Sequence, residues 1–230
     1  MPAPLPNPLP KGEGTKLCCS WSGGKDSCLA LHRALAAGGE LRCLLTMFTE
    51  DRERSRSHGL SRAVLEAQAA AIGVPLLSAA ATWDDYEITF IRLLDDAREA
   101  GAEMCVFGDI DIPRHREWEE NVCRRAKLTA SLPLWQEDRF QLLEEWWAAG
   151  FEARIIVARE GLVDRRYLGR ALGRQVAQEL AATGVDPCGE NGEFHTVVTG
   201  GPLFARPLAL ELRGQVLRSG CWFQDVAVTM

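Results

Sequence analysis

The chain has 230 residues, 47% hydrophobic and 25% charged, with a formal net charge of −6, a globular balance with room for one large or two small cored domains. No stretch is long and apolar enough to span a membrane, and the first residues lack the basic and apolar regions of a signal peptide. No Lys/Arg run exceeds Arg165-Arg166, so the acidic balance argues against wrapping nucleic acid.

Residues 1–16 carry Pro at positions 2, 4, 6, 8 and 10, which predicts a disordered leader. From Leu17 apolar runs alternate with helical periodicity. Leu17-Cys18-Cys19 reads as a strand, Cys28 to Ala37 as a helix, and Leu41 to Phe48 as a buried strand. A charged loop covers 49–58, and Leu60, Val64, Ala67 and Ala71 mark the next helix face. Strand Leu76 to Ala79, a helix through Phe90, Leu94 and Ala97, and strand Glu103 to Phe107 follow. This alternation predicts a parallel sheet covered by helices, with ligands outside the carboxyl ends of the strands.

Beyond about residue 130 the pattern changes. Phe140, Leu143 and Trp147 predict a helix, Ala153 to Ala158 a strand, and Gly161 to Ala182 a helix broken near Gly169 or Gly173. Strand-like pieces follow at 194–199, 207–218 and 222–229. The expected division is 17–130 as an α/β domain and 131–230 as a smaller α+β domain. The eight cysteines contain no Cys-x-x-Cys pair and mostly sit among apolar neighbours. Reduced, buried thiols in a cytoplasmic protein are therefore expected; Cys188 reads as a packing residue.

Two stretches carry chemistry. Ser20-Trp21-Ser22-Gly23-Gly24-Lys25-Asp26-Ser27 joins the first strand to the first helix. Backbone N–H groups at a helix start can hold a phosphate, and glycines allow close approach. Ser22 and Ser27 offer hydroxyls, Lys25 a mobile cation, and Asp26 a cap or a metal contact. The helix dipole adds only about 0.3 to 2 kcal/mol, against about 1.5 to 3 for each hydrogen bond to a charged group. A polyanion thus needs amides, Lys25 and a divalent cation together. Neither the Walker A nor the dinucleotide spacing is present. The second stretch, Gly184 to Thr196, sets Glu190, Glu193 and His195 on a glycine-rich loop entering a strand, where they can orient an amine, an acid or a metal. Arg116 can meet a phosphate or carboxylate bidentately. Trp118 reads as a core-facing helix residue, and His58 and His115 as either surface or site.

Ser22-Gly23-Gly24-Lys25-Asp26-Ser27 resembles the PP-loop of ATP pyrophosphatases. With Gln68, Gly73-Val74-Pro75-Leu76, Pro133-Leu134-Trp135 and the Asp186-to-Thr196 loop in this order, the chain resembles the diphthine–ammonia ligase family from about Leu17 almost to its end. The resemblance implies a Rossmann-like, adenine nucleotide alpha-hydrolase-like domain and a family-specific C-terminal domain. Ser22, Gly23, Gly24, Lys25, Asp26 and Ser27 would bind ATP phosphates, with Lys25 and Asp26 catalytic and Asp26 meeting Mg²⁺. Met47 would meet adenine, and Gly108 would lie close to the nucleotide. Arg116, Glu190, Glu193, His195 and Thr196 would face the acceptor. The implied reaction adenylylates a carboxylate, releases pyrophosphate and forms an amide with ammonia.

Asp109-Ile110-Asp111-Ile112 departs from the small residues common at that position in the family; its carboxylates can add a metal contact or reshape the substrate mouth. The Ala- and Arg-rich composition looks bacterial, which implies an acceptor of another kind, such as a cobalamin-related acid. Two other readings stay open, a tRNA-modifying PP-loop ATPase and a non-catalytic ATP-binding module. A homodimer is compatible with all three.

Overall fold

Strand β1 (Thr15–Ser20) lies at the centre of a parallel sheet in a computed structural model that describes residues 14–229. The leader expected over 1–16 falls largely outside the described residues, and its last two positions, Thr15 and Lys16, belong to β1. The other strands of this sheet are β2 (Gly39–Phe48), β3 (Leu76–Ala80), β4 (Met104–Val106) and β5 (Thr129–Ser131), in the order β3-β2-β1-β4-β5. Every pairing is parallel. The sequence did not reveal β5, a three-residue edge strand of Thr-Ala-Ser with no apolar run.

Side chains alternate between two cores, as strand geometry requires. Leu17, Cys19, Leu44, Phe48 and Val106 face helices α1 (Lys25–Ala36) and α2 (Arg62–Ile72). Cys18, Cys43, Leu45, Met47, Cys105 and Phe107 face α3 (Tyr86–Glu99) and α4 (Pro113–Arg125). The chain thus winds one way from β1 through β3, then crosses to β4 on the other side of β1. The crevice where that direction reverses opens between the loops after β1 and β4.

After α5 (Arg139–Ala148), whose start is capped by Asp138 accepting from the Gln141 N–H, comes a second, antiparallel sheet. It contains β6 (Glu152–Arg159), β7 (Phe194–Gly200), β8 (Leu210–Arg218) and β9 (Cys221–Val228), ordered β7-β6-β9-β8. Trp146, stacked on Phe151 at 4.5 Å, and Ile155, Val157, Val197 and Val198 belong to the same buried cluster as Leu17 and Leu44. At roughly 1.5 to 3 kcal/mol per buried large apolar side chain, the two sheets share one stabilising core.

The helix expected over 161–182 is much shorter: α6 spans Arg174–Ala182. Gly161 and Gly169 both adopt positive φ, which interrupts a helix. Asp164 caps a short 3₁₀ turn at Arg165–Tyr167. The chain then runs beside β6, with the Gly169 N–H donating to Ile155 and the Leu172 N–H to Ala153. Gln224 and its hydrogen bonds to Arg213 and Gly214 hold the bulged β8–β9 hairpin.

All eight cysteines are free and seven are buried. Burial pushes the Cys19, Cys28 and Cys105 thiols far up and those of Cys43 and Cys188 to about 12, so they are inert packing groups. Among the described residues no helix is long and apolar enough to cross a membrane.

Candidate active site

The loop from β1 to α1 is built by its neighbours. Gly23 has φ +80°, and a β-carbon there would lie 2.6 Å from Leu60 Cδ1. At Gly24 it would lie 2.1 Å from His58 Cε1. Both glycines are therefore required by packing inside the protein. The fully buried Gln68 accepts from Trp21 Nε1 (2.9 Å) and donates to the carbonyls of Gly23 (3.0 Å) and Val198 (2.9 Å). The Val198 N–H donates to the Gly23 carbonyl at 2.9 Å, and the Lys25 N–H to Thr196 Oγ1 at 3.1 Å. Strand β7 of the second sheet thus clamps the loop of the first. Thr196, expected to face the acceptor, is consumed in that clamp.

A helix start leaves its first N–H groups without intrahelical partners. Here the Gly24 N–H goes to Ser22 Oγ and the Lys25 N–H to Thr196. Those of Asp26 and Ser27 have no such partner among the described residues. Ser22 Oγ and Ser27 Oγ lie 3.0 Å apart. The anion cradle is consequently narrower than the sequence suggests: two first-turn amides and two hydroxyls.

Lys25 is not a mobile cation. It is 4% exposed; its Nζ pairs with both Asp26 oxygens at 2.7 Å and donates to the Cys188 carbonyl. Burial pulls its ammonium down, but the Asp26 carboxylate and its other acidic neighbours outweigh this and hold the pKa above the usual lysine value. Lys25 stays charged, facing inward.

A cavity of about 570 Å³ opens at the carboxyl ends of β1, β2 and β4. Ser22, Asp26, Ser27 and Gly108 form one side. Gly108 is confined by α1: a β-carbon would lie 2.6 Å from the Ser27 nitrogen. Trp83, Tyr86, Phe90, Phe107 and Trp118 form an aromatic wall, with Met47 beside them in the lining. Phe90 and Trp118 pack at 5.2 Å, Tyr86 and Trp118 at 5.8 Å, and the Arg56 guanidinium lies 4.6 Å from the Trp83 ring centre. The sequence missed this wall. Trp118 packs against Phe90 as a core residue would, yet it also lines the cavity. A second hollow of about 440 Å³, lined by residues such as Glu50, Arg52, Thr82 and Asp85, gathers none of these groups.

The Gly184-to-Thr196 loop supplies the third side through Gly189, Glu190 and His195. Asp186 shapes it, accepting from the Cys188 and Glu190 N–H groups at 3.0 and 2.8 Å. Glu190 Oε1 accepts from the Ile110 N–H at 2.9 Å. Burial, then the Asp26 carboxylate, push the Glu190 carboxyl up to about 7. His195 stacks on His58 with ring centres 4.5 Å apart. Burial lowers His58 well below the usual value and His195 to about 4, so both rings are neutral at pH 7. His58, from the charged loop, is thus a wall of the site.

Two expected residues lie elsewhere. Arg116 pairs with Glu120 at 2.7 Å and sits 5.1 Å over the Trp135 ring; it does not line the cavity. Glu193 Oε1 accepts from Asn191 at 3.3 Å, and its buried Oε2 has no hydrogen-bond partner among the described residues; it does not line the cavity either. The Asp109 and Asp111 carboxylates are both occupied. Asp109 pairs with His115 at 2.7 Å, and Asp111 with Arg139, which also bonds Asp186. Among the described residues no three His, Cys, Asp or Glu side chains converge on a metal position. Asp26 offers a cavity carboxylate within the anion cradle, a donor that suits Mg²⁺ carried in by phosphates.

Residues 15–130 match the family model for the diphthamide synthase N-terminal domain, and 138–226 that for the diphthamide synthase C-terminal domain. A diphthine–ammonia ligase of Rattus norvegicus is 29% identical over 235 residues, covering 90% of this chain and 86% of the relative. One of Danio rerio is 28% identical over 229 residues, covering 89% and 90%. A solved structure, the predicted subunit of a tRNA methyltransferase from Methanocaldococcus jannaschii, aligns at a TM-score of 0.44 with 15% identity, covering 81% of this chain and 98% of that one. So slight a likeness carries no argument.

Proposed function

The chain belongs to the diphthamide synthase family, and on that premise we propose that it is an ATP-dependent carbon–nitrogen ligase that converts a carboxylate to its amide with ammonia. The relatives' name points to an acceptor of the diphthine class. The observation that carries the reading is convergence: the Ser22–Ser27 cradle, the aromatic wall and the Glu190–His195 loop open on one 570 Å³ cavity, a volume typical of small-molecule sites.

A carboxylate resists attack by ammonia because its oxygen is a poor leaving group; ATP, when bound, supplies a better one by adenylylation with loss of pyrophosphate. The Asp26 and Ser27 N–H groups are fixed donors for the charge growing on pyrophosphate, and such preorganisation is usually the largest catalytic contribution; the Ser22 and Ser27 hydroxyls, which bond each other and the Gly24 backbone, would turn to the phosphates. Asp26 would hold Mg²⁺. Met47 and the aromatic wall would receive the purine. Glu190, ionising near neutrality, and neutral His195 line the same cavity beside the cradle, where they would orient the acid and the amine.

The test is AMP and pyrophosphate formation from Mg-ATP and ammonium in the presence of a diphthine-bearing peptide or other metabolite carboxylates. Acid-dependent pyrophosphate exchange is expected, and Ser27→Ala should reduce it by about 10-fold or more, equivalent to one charged hydrogen bond. ATP binding without exchange for any acid would instead favour a non-catalytic module.

A further inference from the structure

Asp109, His115 and Glu119 line the cavity but have no part in the anion cradle. Asp109 directly follows the Gly108 turn, while His115 and Glu119 are four residues apart on one face of α4. His115 Nδ1 lies 2.7 Å from Asp109 Oδ1. Burial pushes the Asp109 carboxyl up, but hydrogen bonds from His115 and Glu119 outweigh it and hold the group below the ordinary range. An ionised carboxylate only accepts, so the Nδ1 proton points to Asp109; that hydrogen bond holds the His115 pKa above the ordinary histidine value, and whenever the ring is neutral its lone pair lies on Nε2. Nε2 has no hydrogen-bonding partner among the described residues. Behind them Glu119 is 4% exposed; burial, then the neighbouring Asp109, push its carboxyl well above the ordinary glutamate range. The other charged groups acting on His115 are Arg114 and Glu190.

We propose that His115, oriented by Asp109, is the base that turns ammonium into ammonia in this cavity. The proposal rests on the ligase reading above. Ammonium is almost wholly protonated at pH 7, like a lysine amine with its pKa of about 10, and has no lone pair to attack with. Nε2 takes one proton. The freed nitrogen lone pair forms the C–N bond at the activated acyl carbon, and the C–O bond to AMP breaks, its electron pair leaving with AMP. His115, 43% exposed, sheds its proton to water and accepts the second one from the new amide nitrogen. Charge and atoms balance without another reactant.

The test compares ammonium with hydroxylamine, which is already neutral at pH 7. With a diphthine-bearing peptide, His115→Gln and Asp109→Asn should raise the ratio of hydroxamate to amide formation by at least about 10²-fold, the usual size of general-base catalysis. An unchanged ratio overturns the proposal. A second measurement needs no acceptor. The His115 imidazole resonances of the full chain are followed by NMR during titration with NH₄Cl, against KCl at equal ionic strength. A saturable shift with NH₄Cl only, lost in Asp109→Asn, supports the site; identical responses to both salts overturn it. Absent pyrophosphate exchange in every protein would sink the ligase reading instead, and the NMR titration would still decide this one.

Discussion

Lys25 Nζ and the carbonyl oxygen of Cys188 are hydrogen-bonded across 163 positions of sequence, tying the start of α1 to the loop before β7. The same ammonium neutralises Asp26. Removing it leaves a mostly buried carboxylate unpaired and a loop carbonyl without its donor. Breaking such a pair costs roughly 3 to 5 kcal/mol when fully buried; Asp26 retains 29% exposure, so about 2 to 4 is expected for Lys25→Met. Urea denaturation checks this, and Lys25→Met with Asp26→Asn should recover part of the loss. Wild-type stability combined with lost pyrophosphate release would mean that Nζ serves the phosphates after all.

Gly24→Ala tests the packing account of the loop. Gly24 has φ −98°, so no backbone strain opposes alanine. The β-carbon instead lands 2.1 Å from His58 Cε1 and 3.2 Å from the Thr196 carbonyl. His58 is stacked on His195 and hydrogen-bonded to Thr196, and so cannot yield cheaply. Overpacking of this kind costs about 1 to 3 kcal/mol. A lowered melting temperature is expected, with partial recovery in Gly24→Ala combined with His58→Ala, which removes the clashing ring. If Gly24→Ala melts like the wild type but loses nucleotide binding, the glycine serves the ligand.

The parallel sheet was legible because β1, β2 and β3 are apolar runs separated by helices with periodic faces, and each run is long enough to show its period. Strand β4 is only three residues but is apolar and wholly buried, whereas β5, Thr-Ala-Ser, buries only Ser131 and offers no apolar run, and the 3₁₀ turn at Arg165–Tyr167 is too short for periodicity to register. Of the residues that line the cavity, Ser22, Asp26, Ser27, Glu190 and His195 are legible because local motifs place them. Trp83, Tyr86, Glu119 and Arg56 are not, because they meet only through tertiary packing of the loop after β3, α3, α4 and the loop after β2. The burial of Lys25 is not legible for the same reason. Its inward turn depends on Cys188, which no spacing near Lys25 announces.

Glu190 should make stability fall as pH rises. Its folded pKa of about 7 lies above the ordinary glutamate value, so between roughly 4.5 and 7 the folded state holds a proton that the unfolded chain has lost. The sign follows: the contribution is full below the unfolded value and is lost as pH rises through the folded one. Its size is of order 1 to 3 kcal/mol, at about 1.4 per pKa unit and allowing for partial exposure. Glu190→Gln should therefore flatten that part of the stability curve and be the more stable protein at pH 7.5. Thermal melts from pH 5 to 8 show it. Parallel curves for the two proteins would refute the assignment.

Trp83 separates binding from folding. It is the most exposed large aromatic side chain of the described residues, at 71%, yet it lines the cavity and carries Arg56 on its face. A residue so exposed contributes little to the core, so Trp83→Ala should change stability by no more than about 0.5 kcal/mol. A planar base stacked on an aromatic ring is worth about 1 to 3 kcal/mol by alanine substitution, so Mg-ATP affinity should fall roughly 5- to 100-fold. Calorimetric titration of the variant with Mg-ATP measures the loss directly, with Trp118→Ala as a partner expected to lose stability as well, since that ring packs on Phe90 and Tyr86. Unchanged nucleotide affinity in Trp83→Ala, with a raised KM for the acid, would give the aromatic wall to the acceptor and move the purine elsewhere in the cavity.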